Sequence, residues 1–345
     1  MRWASQAVAV EQPTLHGMPG FRRSVRIPEF DGITFHEVHA RTVLNSVRGQ
    51  GMLPFRWTVN PYRGCSHGCT YCFARRTHEY LEFDSGKDFD TQVVVKVNAV
   101  EALRGQLRSG LRTGRWRQEH VAMGTNTDPY QRAEGRYRLM PGIISALAES
   151  GTPLSILTKG TVLARDLPLL AEAAGAVEVG LSVSIALLDR ETQRHLEPGT
   201  PSPAARLELV RKIRDAGLSC GVLVAPVLPL LTDSTERLDA ILCAVAEAGA
   251  TSATVFPLHL RPGSREWFAR WLAEHHPGLV DAYRELYRAG SYVTARYRQQ
   301  LRDRVRPLLA KHGFDRESAP RWPEKGELPD GGAPLRPERE QLRLL

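Results

Sequence analysis

VEVGLSVS, residues 177–184, decides the fold. Side chains alternate along an extended chain, so Val177, Val179, Leu181 and Val183 share one face while Gly180, Ser182 and Ser184 share the other. An apolar face turned toward helices and a small, polar face turned inward suits a barrel strand whose lumen opens onto a site. Moving outward from this strand, apolar runs at 120–124, 154–158, 218–225 and 251–258 read as further strands. Helical patterns at 141–149, 166–174, 203–216 and 235–248 separate them. Residues 55–60 read as the first strand and 98–107 as the helix before the second. Six strand and helix units at this spacing predict an α/β chain, with parallel pairing through right-handed crossovers. The expected architecture is a partial (β/α)6 TIM-like barrel, with an open doubly wound sheet as the competing arrangement. Both place a site at the carboxyl ends of the strands.

Punctuation agrees with this reading. Ser202 followed by Pro203 is a helix N-cap with proline in the first turn, and Asp233 with Glu236 resembles a capping box. Gly217 and Gly249 stand where helices should stop. The expected division is an N-terminal extension packed on the barrel (1–53), the barrel (54–260), a C-terminal helical segment (261–313) and a disordered tail (314–345). Residues 264–311 read as two amphipathic helices with Trp267, Phe268, Trp271, Tyr283, Leu286 and Tyr287 on their apolar stripes.

Of 345 residues, 42% are apolar, enough for a large core. Lys and Arg outnumber Asp and Glu by 46 to 38, and the surplus sits in the two ends around an acidic middle. That balance is compatible with a polyanionic partner such as nucleic acid, although Arg-rich proteins also carry it without one. No run approaches the length of a membrane helix, and the apolar stretch before Glu11 is too brief for a secretory signal, so a cytoplasmic location is expected. Five cysteines are too few for a disulfide framework. Three of them crowd into eight positions, which points to metal or redox chemistry.

That cluster is NPYRGCSHGCTYCFAR (60–75), with Cys65, Cys69 and Cys72 in a C-x3-C-x2-C pattern and Tyr71 just before the last. Three thiolates in one loop suit three irons of a 4Fe–4S cubane and leave the fourth iron open to substrate. The alternative is a zinc knuckle completed by His67 or His78, but zinc ligands usually come as two separated pairs.

With this cysteine spacing and the strands that follow it, residues 54–258 resemble the radical S-adenosylmethionine superfamily. Within it the chain looks closest to the branch around spore photoproduct lyase and DNA-repair photolyase-like proteins, in particular to an actinobacterial family with the stretch GTNTDPYQRAE (124–134). The resemblance implies a 4Fe–4S cluster on Cys65, Cys69 and Cys72, S-adenosylmethionine on the open iron, and a flavodoxin- or ferredoxin-like electron donor. It also implies reductive cleavage to a 5′-deoxyadenosyl radical that abstracts hydrogen from the substrate.

By the same resemblance Thr127 and Asp128 receive the methionyl ammonium, Lys159 the cofactor carboxylate, and Ser182 and Ser184 the ribose or methionyl part. Segments 225–229 and 256–259 wall the adenine. Glu197 and Arg206 pair with each other or with substrate. Cys220 and Cys243 read as buried apolar thiols. In the lyase a cysteine two positions before the Ser-Asp pair returns hydrogen to the product radical. Thr125 stands at that position here, and its O–H bond is too strong to donate hydrogen readily, a departure that argues against repair of that particular lesion. A nucleic-acid substrate, contacted by Arg and the aromatics of 264–300, is the first expectation. A peptide or small metabolite, or a non-enzymatic iron–sulfur protein that binds nucleic acid or senses redox state, are the alternatives.

Overall fold

The computed structural model describes residues 8–9, 18–47 and 55–314. In chain order it begins with β1 (Val8–Ala9), β2 (Phe21–Arg26), β3 (Thr34–Val38), β4 (Leu44–Ser46), β5 (Trp57–Val59) and β6 (Tyr62–Arg63). Next come α1 (Lys87–Thr91), β7 (Gln92–Lys96), α2 (Ala99–Arg112), β8 (Val121–Met123), α3 (Arg132–Tyr137), α4 (Leu139–Glu149), β9 (Leu154–Thr158) and α5 (Leu167–Ala174). The third stretch holds β10 (Val179–Ser184), α6 (Arg190–Leu196), α7 (Pro203–Asp215), β11 (Gly221–Val227), α8 (Thr235–Glu247) and β12 (Ser252–Pro257). Three helices close it: α9 (Ser264–His275), α10 (Val280–Leu286) and α11 (Ala295–Lys311).

Six parallel strands lie side by side in the order β12-β11-β10-β9-β8-β5, and β4 adds antiparallel to the outer edge of β5. The order follows the sequence without a reversal. A doubly wound sheet needs a reversal at its switch point, so the partial barrel is the fold. On β10, Leu181 and Val183 are buried, and the hydroxyl of Ser184 meets groups from β9 and β11, as the parity of the strand requires.

Helix ends follow their local chemistry. Ser202 accepts from the Ala205 amide at the start of α7, and Ser234, not Asp233, caps α8 through the Arg237 amide. Asn98 spends its side chain elsewhere, bracing Ala40 through both amide and carbonyl. Three helices, rather than two, fill the region 264–311.

The second sheet was not legible as strands. It has the order β1-β2-β3-β7-β6, with β3 and β7 parallel and the other pairs antiparallel. Its inner face (Val25, Phe35, Val93, Val95) joins one continuous core with the barrel and with Phe268, Trp271, Tyr283, Tyr287 and Tyr297 of the C-terminal helices. Most aromatics of 264–300 are therefore packed, not presented to a partner. The tail from 315 onward lies outside the described residues.

Candidate active site

The cysteine loop follows β6 at the carboxyl end of the barrel. Cys65 and Cys69 are buried and Cys72 is half-buried. Cys65 and Cys72 pack with Ala74 and Phe89. Three side chains other than the cysteines hold the loop. Gln131 accepts from the Ser66 amide at 2.9 Å and donates to the Gly64 carbonyl at 3.0 Å. The wholly buried Arg75 donates to the Cys69 carbonyl at 2.9 and 3.1 Å, to the Gly86 carbonyl at 2.6 Å and to Asp90 at 2.9 Å. Tyr71 donates its hydroxyl to Glu197.

The segment after α6 forms the loop's other wall. The Thr70 amide donates to the Leu196 carbonyl and the Gly199 amide to the His67 carbonyl, both at 2.9 Å. At Gly199 a Cβ would fall 1.9 Å from the Ser66 carbonyl oxygen, so only glycine permits this approach.

Burial pushes the Cys69 thiol well above its usual range, reinforced by Glu197 and opposed by Lys159, and pushes Cys72 up to about 11. Such thiols ionise only beside a strong positive centre, which iron supplies. His67 is engaged by another group: its Nδ1 lies 3.3 Å from Asp128 Oδ2, and although burial alone would lower its pKa, its charged neighbours hold it at about 10. His78 donates through Nε2 to the Gln92 carbonyl. Among the described residues no three His, Cys, Asp or Glu side chains converge as ligands of a single ion. Three cysteines in one loop, with no second pair of ligands beside them, fit three corners of a cubane better than a zinc knuckle.

Four of the five residues singled out as cofactor contacts, Thr127, Asp128, Lys159 and Ser184, gather beside this loop. Lys159, at the end of β9, donates to Ser184 Oγ at 2.8 Å and lies 4.0 Å from Glu197. Its ammonium also stands 5.9 Å from the centre of the Tyr71 ring. Ser182 lies one pleat back on the same face of β10, half-buried. Thr127 donates to the Tyr62 carbonyl at 2.9 Å. Both Asp128 oxygens are engaged: Oδ1 by the Tyr130 amide and Thr158 hydroxyl, Oδ2 by the Lys159 amide and His67. Burial would raise the Asp128 pKa, yet His67 and these donors hold it below the usual carboxylate range. The side chains of Thr127 and Asp128 thus shape the loop that faces Lys159.

Glu197 and Arg206, both fully buried, pair at 2.5 Å, and Arg206 also donates to the Ser184 carbonyl at 3.0 Å. Burial alone would raise the Glu197 pKa; Arg206 and then Lys159 keep it low. Cys69, Tyr71, Glu197, Lys159 and Ser184 are therefore one coupled set. Sequence reasoning missed Gln131 and Arg75, although Gln131 lies within the GTNTDPYQRAE stretch. Of the remaining cysteines, Cys220 is buried, but Cys243 is half-exposed on α8.

A six-stranded partial barrel with a buried three-cysteine loop at its carboxyl rim, facing a lysine and a serine from neighbouring strands, defines a class of cluster-dependent barrel proteins. The family model "Radical SAM superfamily" matches residues 59–240, more than half of the chain, and the chain belongs to that superfamily. Its cofactors are accordingly a 4Fe–4S cluster and S-adenosylmethionine. An uncharacterized protein of Mycobacterium tuberculosis is 61% identical over 331 residues, covering 94% of this chain and 96% of that protein. An uncharacterized protein of the Acidianus two-tailed virus is 30% identical over 226 residues, 63% of this chain and 72% of its own. Among solved structures, spore photoproduct lyase complexed with dinucleoside spore photoproduct superposes with a TM-score of 0.61 at 17% identity, covering 81% of this chain and 80% of that one. A variant of the same lyase with bound AdoMet gives 0.59 at 16% identity, over 79% and 77%. These likenesses establish the fold. No described helix is long and apolar enough to cross a membrane.

Proposed function

We propose that the chain is a radical S-adenosylmethionine enzyme acting on a nucleic acid with exposed bases, in the cytoplasm, with a flavodoxin- or ferredoxin-like donor. When bound, the cluster and S-adenosylmethionine supply a reductive cleavage that yields a 5′-deoxyadenosyl radical for hydrogen abstraction. Cys65, Cys69 and Cys72 hold the cluster, and Gln131 and Arg75 keep their loop closed. Lys159, positioned by Ser184 and Glu197, complements the cofactor carboxylate. Ser182 and Ser184 offer hydroxyls from the lumen, and Thr127 and Asp128 fix the loop that receives the ammonium. Thr125 offers no hydrogen atom of thiol type, so the product radical is quenched by another route than in the lyase.

The observation that carries the substrate class is a rim of exposed aromatics next to the cysteine loop. Phe73, immediately after Cys72, is 42% exposed, with the Arg261 guanidinium 5.6 Å from its ring centre. Tyr292 is 41% exposed and stacks on His259 at 4.1 Å and 10°. His259 and Arg261 lie two residues apart just beyond β12. Solvent-facing rings, one of them beside a guanidinium, are the platform on which unpaired bases stack, at about 1–3 kcal/mol per base. A labelled single-stranded oligonucleotide, followed by fluorescence anisotropy, tests this. Binding should weaken with salt, and Phe73→Ala and Tyr292→Ala should each weaken it about 5- to 100-fold. Affinity indifferent to both substitutions contradicts the reading.

A further inference from the structure

Lys96, at the end of β7, is a lysine only 2% exposed; its amide donates to the Pro61 carbonyl, but its ammonium has no hydrogen-bond or ion-pair partner among the described residues. Its nearest charged neighbour is another cation. Arg63 of β6 pairs across the sheet with Val94, two residues before Lys96, so Arg63, Val94 and Lys96 point to the same face as diagonal neighbours. Arg63 likewise has no carboxylate partner among the described residues. Other ionisable groups on this face and on the segment packed over it are Arg26, which donates to the Thr34 hydroxyl at 3.1 Å, His36, His78 and Asp84. His36 bonds Ser24 at 2.7 Å and Gln92 at 2.9 Å, and His78 bonds the Gln92 carbonyl at 2.8 Å. Burial lowers both histidines, so neither adds charge, and Asp84 is the one acid that acts on His78.

A buried ammonium beside a half-buried guanidinium, with no counter-charge among the described residues, is an arrangement that proteins ordinarily avoid unless an anion completes it. Burial and then Arg63 lower the Lys96 pKa to about 7, which shows how unfavourable the uncompensated ammonium is. An oxyanion bound between the two side chains would supply the missing charge and acceptors for the ammonium and for the guanidinium fork.

We propose that Lys96 and Arg63 form a binding site for a phosphate-type oxyanion on the face of the N-terminal sheet beside the cysteine loop. Arg63 stands two residues before Cys65, so an anion here would adjoin the cysteine loop. The group is either a free phosphate or a phosphate of a nucleic-acid backbone. The site stands whether or not the chain cleaves S-adenosylmethionine.

The test is thermal unfolding of the full-length protein in inorganic phosphate against chloride at matched ionic strength, for wild type, Lys96→Met and Arg63→Gln. Phosphate should raise the wild-type Tm saturably by about 2 °C or more beyond chloride, and Lys96→Met should abolish the rise without lowering the Tm in chloride. Should Lys96→Met fail to fold, Arg63→Gln reads out the same loss. Affinity for a single-stranded oligonucleotide separates the sources. If it drops at least about fivefold in Lys96→Met, the anion is a backbone phosphate; if it is unchanged while the phosphate effect is lost, the anion is free phosphate. No phosphate-specific rise in wild type, or an equal rise in both variants, overturns the proposal.

Discussion

Two buried sets of charge adjoin the cysteine loop, and they are handled in opposite ways. On the barrel side, Glu197 sits among Arg206, Lys159 and the Tyr71 hydroxyl, each charge answered by another within 4.0 Å. On the side of the N-terminal sheet, Lys96 and Arg63 share a face with histidines that burial keeps neutral, and no carboxylate among the described residues pairs with them. The compensated set looks built to hold its own geometry, with Lys159 and Ser184 already bonded. The uncompensated set looks built to be completed from outside.

The sharpest way to break this contrast is to remove the central acid. Glu197→Ala leaves Arg206 buried without its partner and should cost about 3–5 kcal/mol, read as a lowered urea midpoint. Glu197→Gln, which keeps the shape, should also destabilise. A near-neutral result in both would mean that the pair is not the strut described here.

Acid should act next on the opposite side. His78 is held at about 4 by burial, whereas the unfolded chain titrates near 6.5. Below pH 6.5 the unfolded state binds the extra proton, so stability is intact above that pH and falls as pH drops toward 4. At pH 5 the loss is about 2 kcal/mol. Denaturation midpoints between pH 7 and 5 should show this loss, and His78→Gln should flatten the slope in that window.

Gln131→Ala removes two bonds to the backbone of the cysteine loop and should cost about 1–3 kcal/mol. It should also lower the iron content after reconstitution, which a substitution affecting stability alone would not do. The smallest effect, and of opposite sign, belongs to Lys96→Met. In chloride it should leave stability unchanged or raise it by up to about 1 kcal/mol, because it removes an unanswered charge. Comparable losses from Lys96→Met and Glu197→Ala would erase the distinction between the two sides.

The barrel was legible because parallel strands covered by helices carry local signatures. Apolar runs, helix periods and stop signals at 154–158, 203–216 and 249 reappear within a few residues of their expected places. The N-terminal sheet was not, because its pairings join distant segments: β3 pairs with β7 and β6 returns along β7. One of its faces also carries Ser24, His36, Gln92 and Lys96, which reads as loop rather than strand.

At the site, the cysteine spacing and the placement of Lys159 and Ser184 at strand ends follow from sequence alone, because a strand terminus is a local property. What Arg75, Gln131 and Tyr71 do depends on three-dimensional approach, such as the passage of Gly199 against Ser66, and no periodicity announces it. Aromatic spacing in 264–300 was ambiguous for a related reason: core and contact residues share the same helical period. The exposed ring, Tyr292, lies in the loop between helices.

The most direct test of the central assignment is anaerobic reconstitution with iron and sulfide, reduction by dithionite, addition of S-adenosylmethionine and chromatography of the products. Wild type should yield 5′-deoxyadenosine and Cys69→Ala none. A fully loaded, reduced wild-type protein that leaves S-adenosylmethionine intact, or a Cys69→Ala variant that cleaves it equally well, would contradict the account.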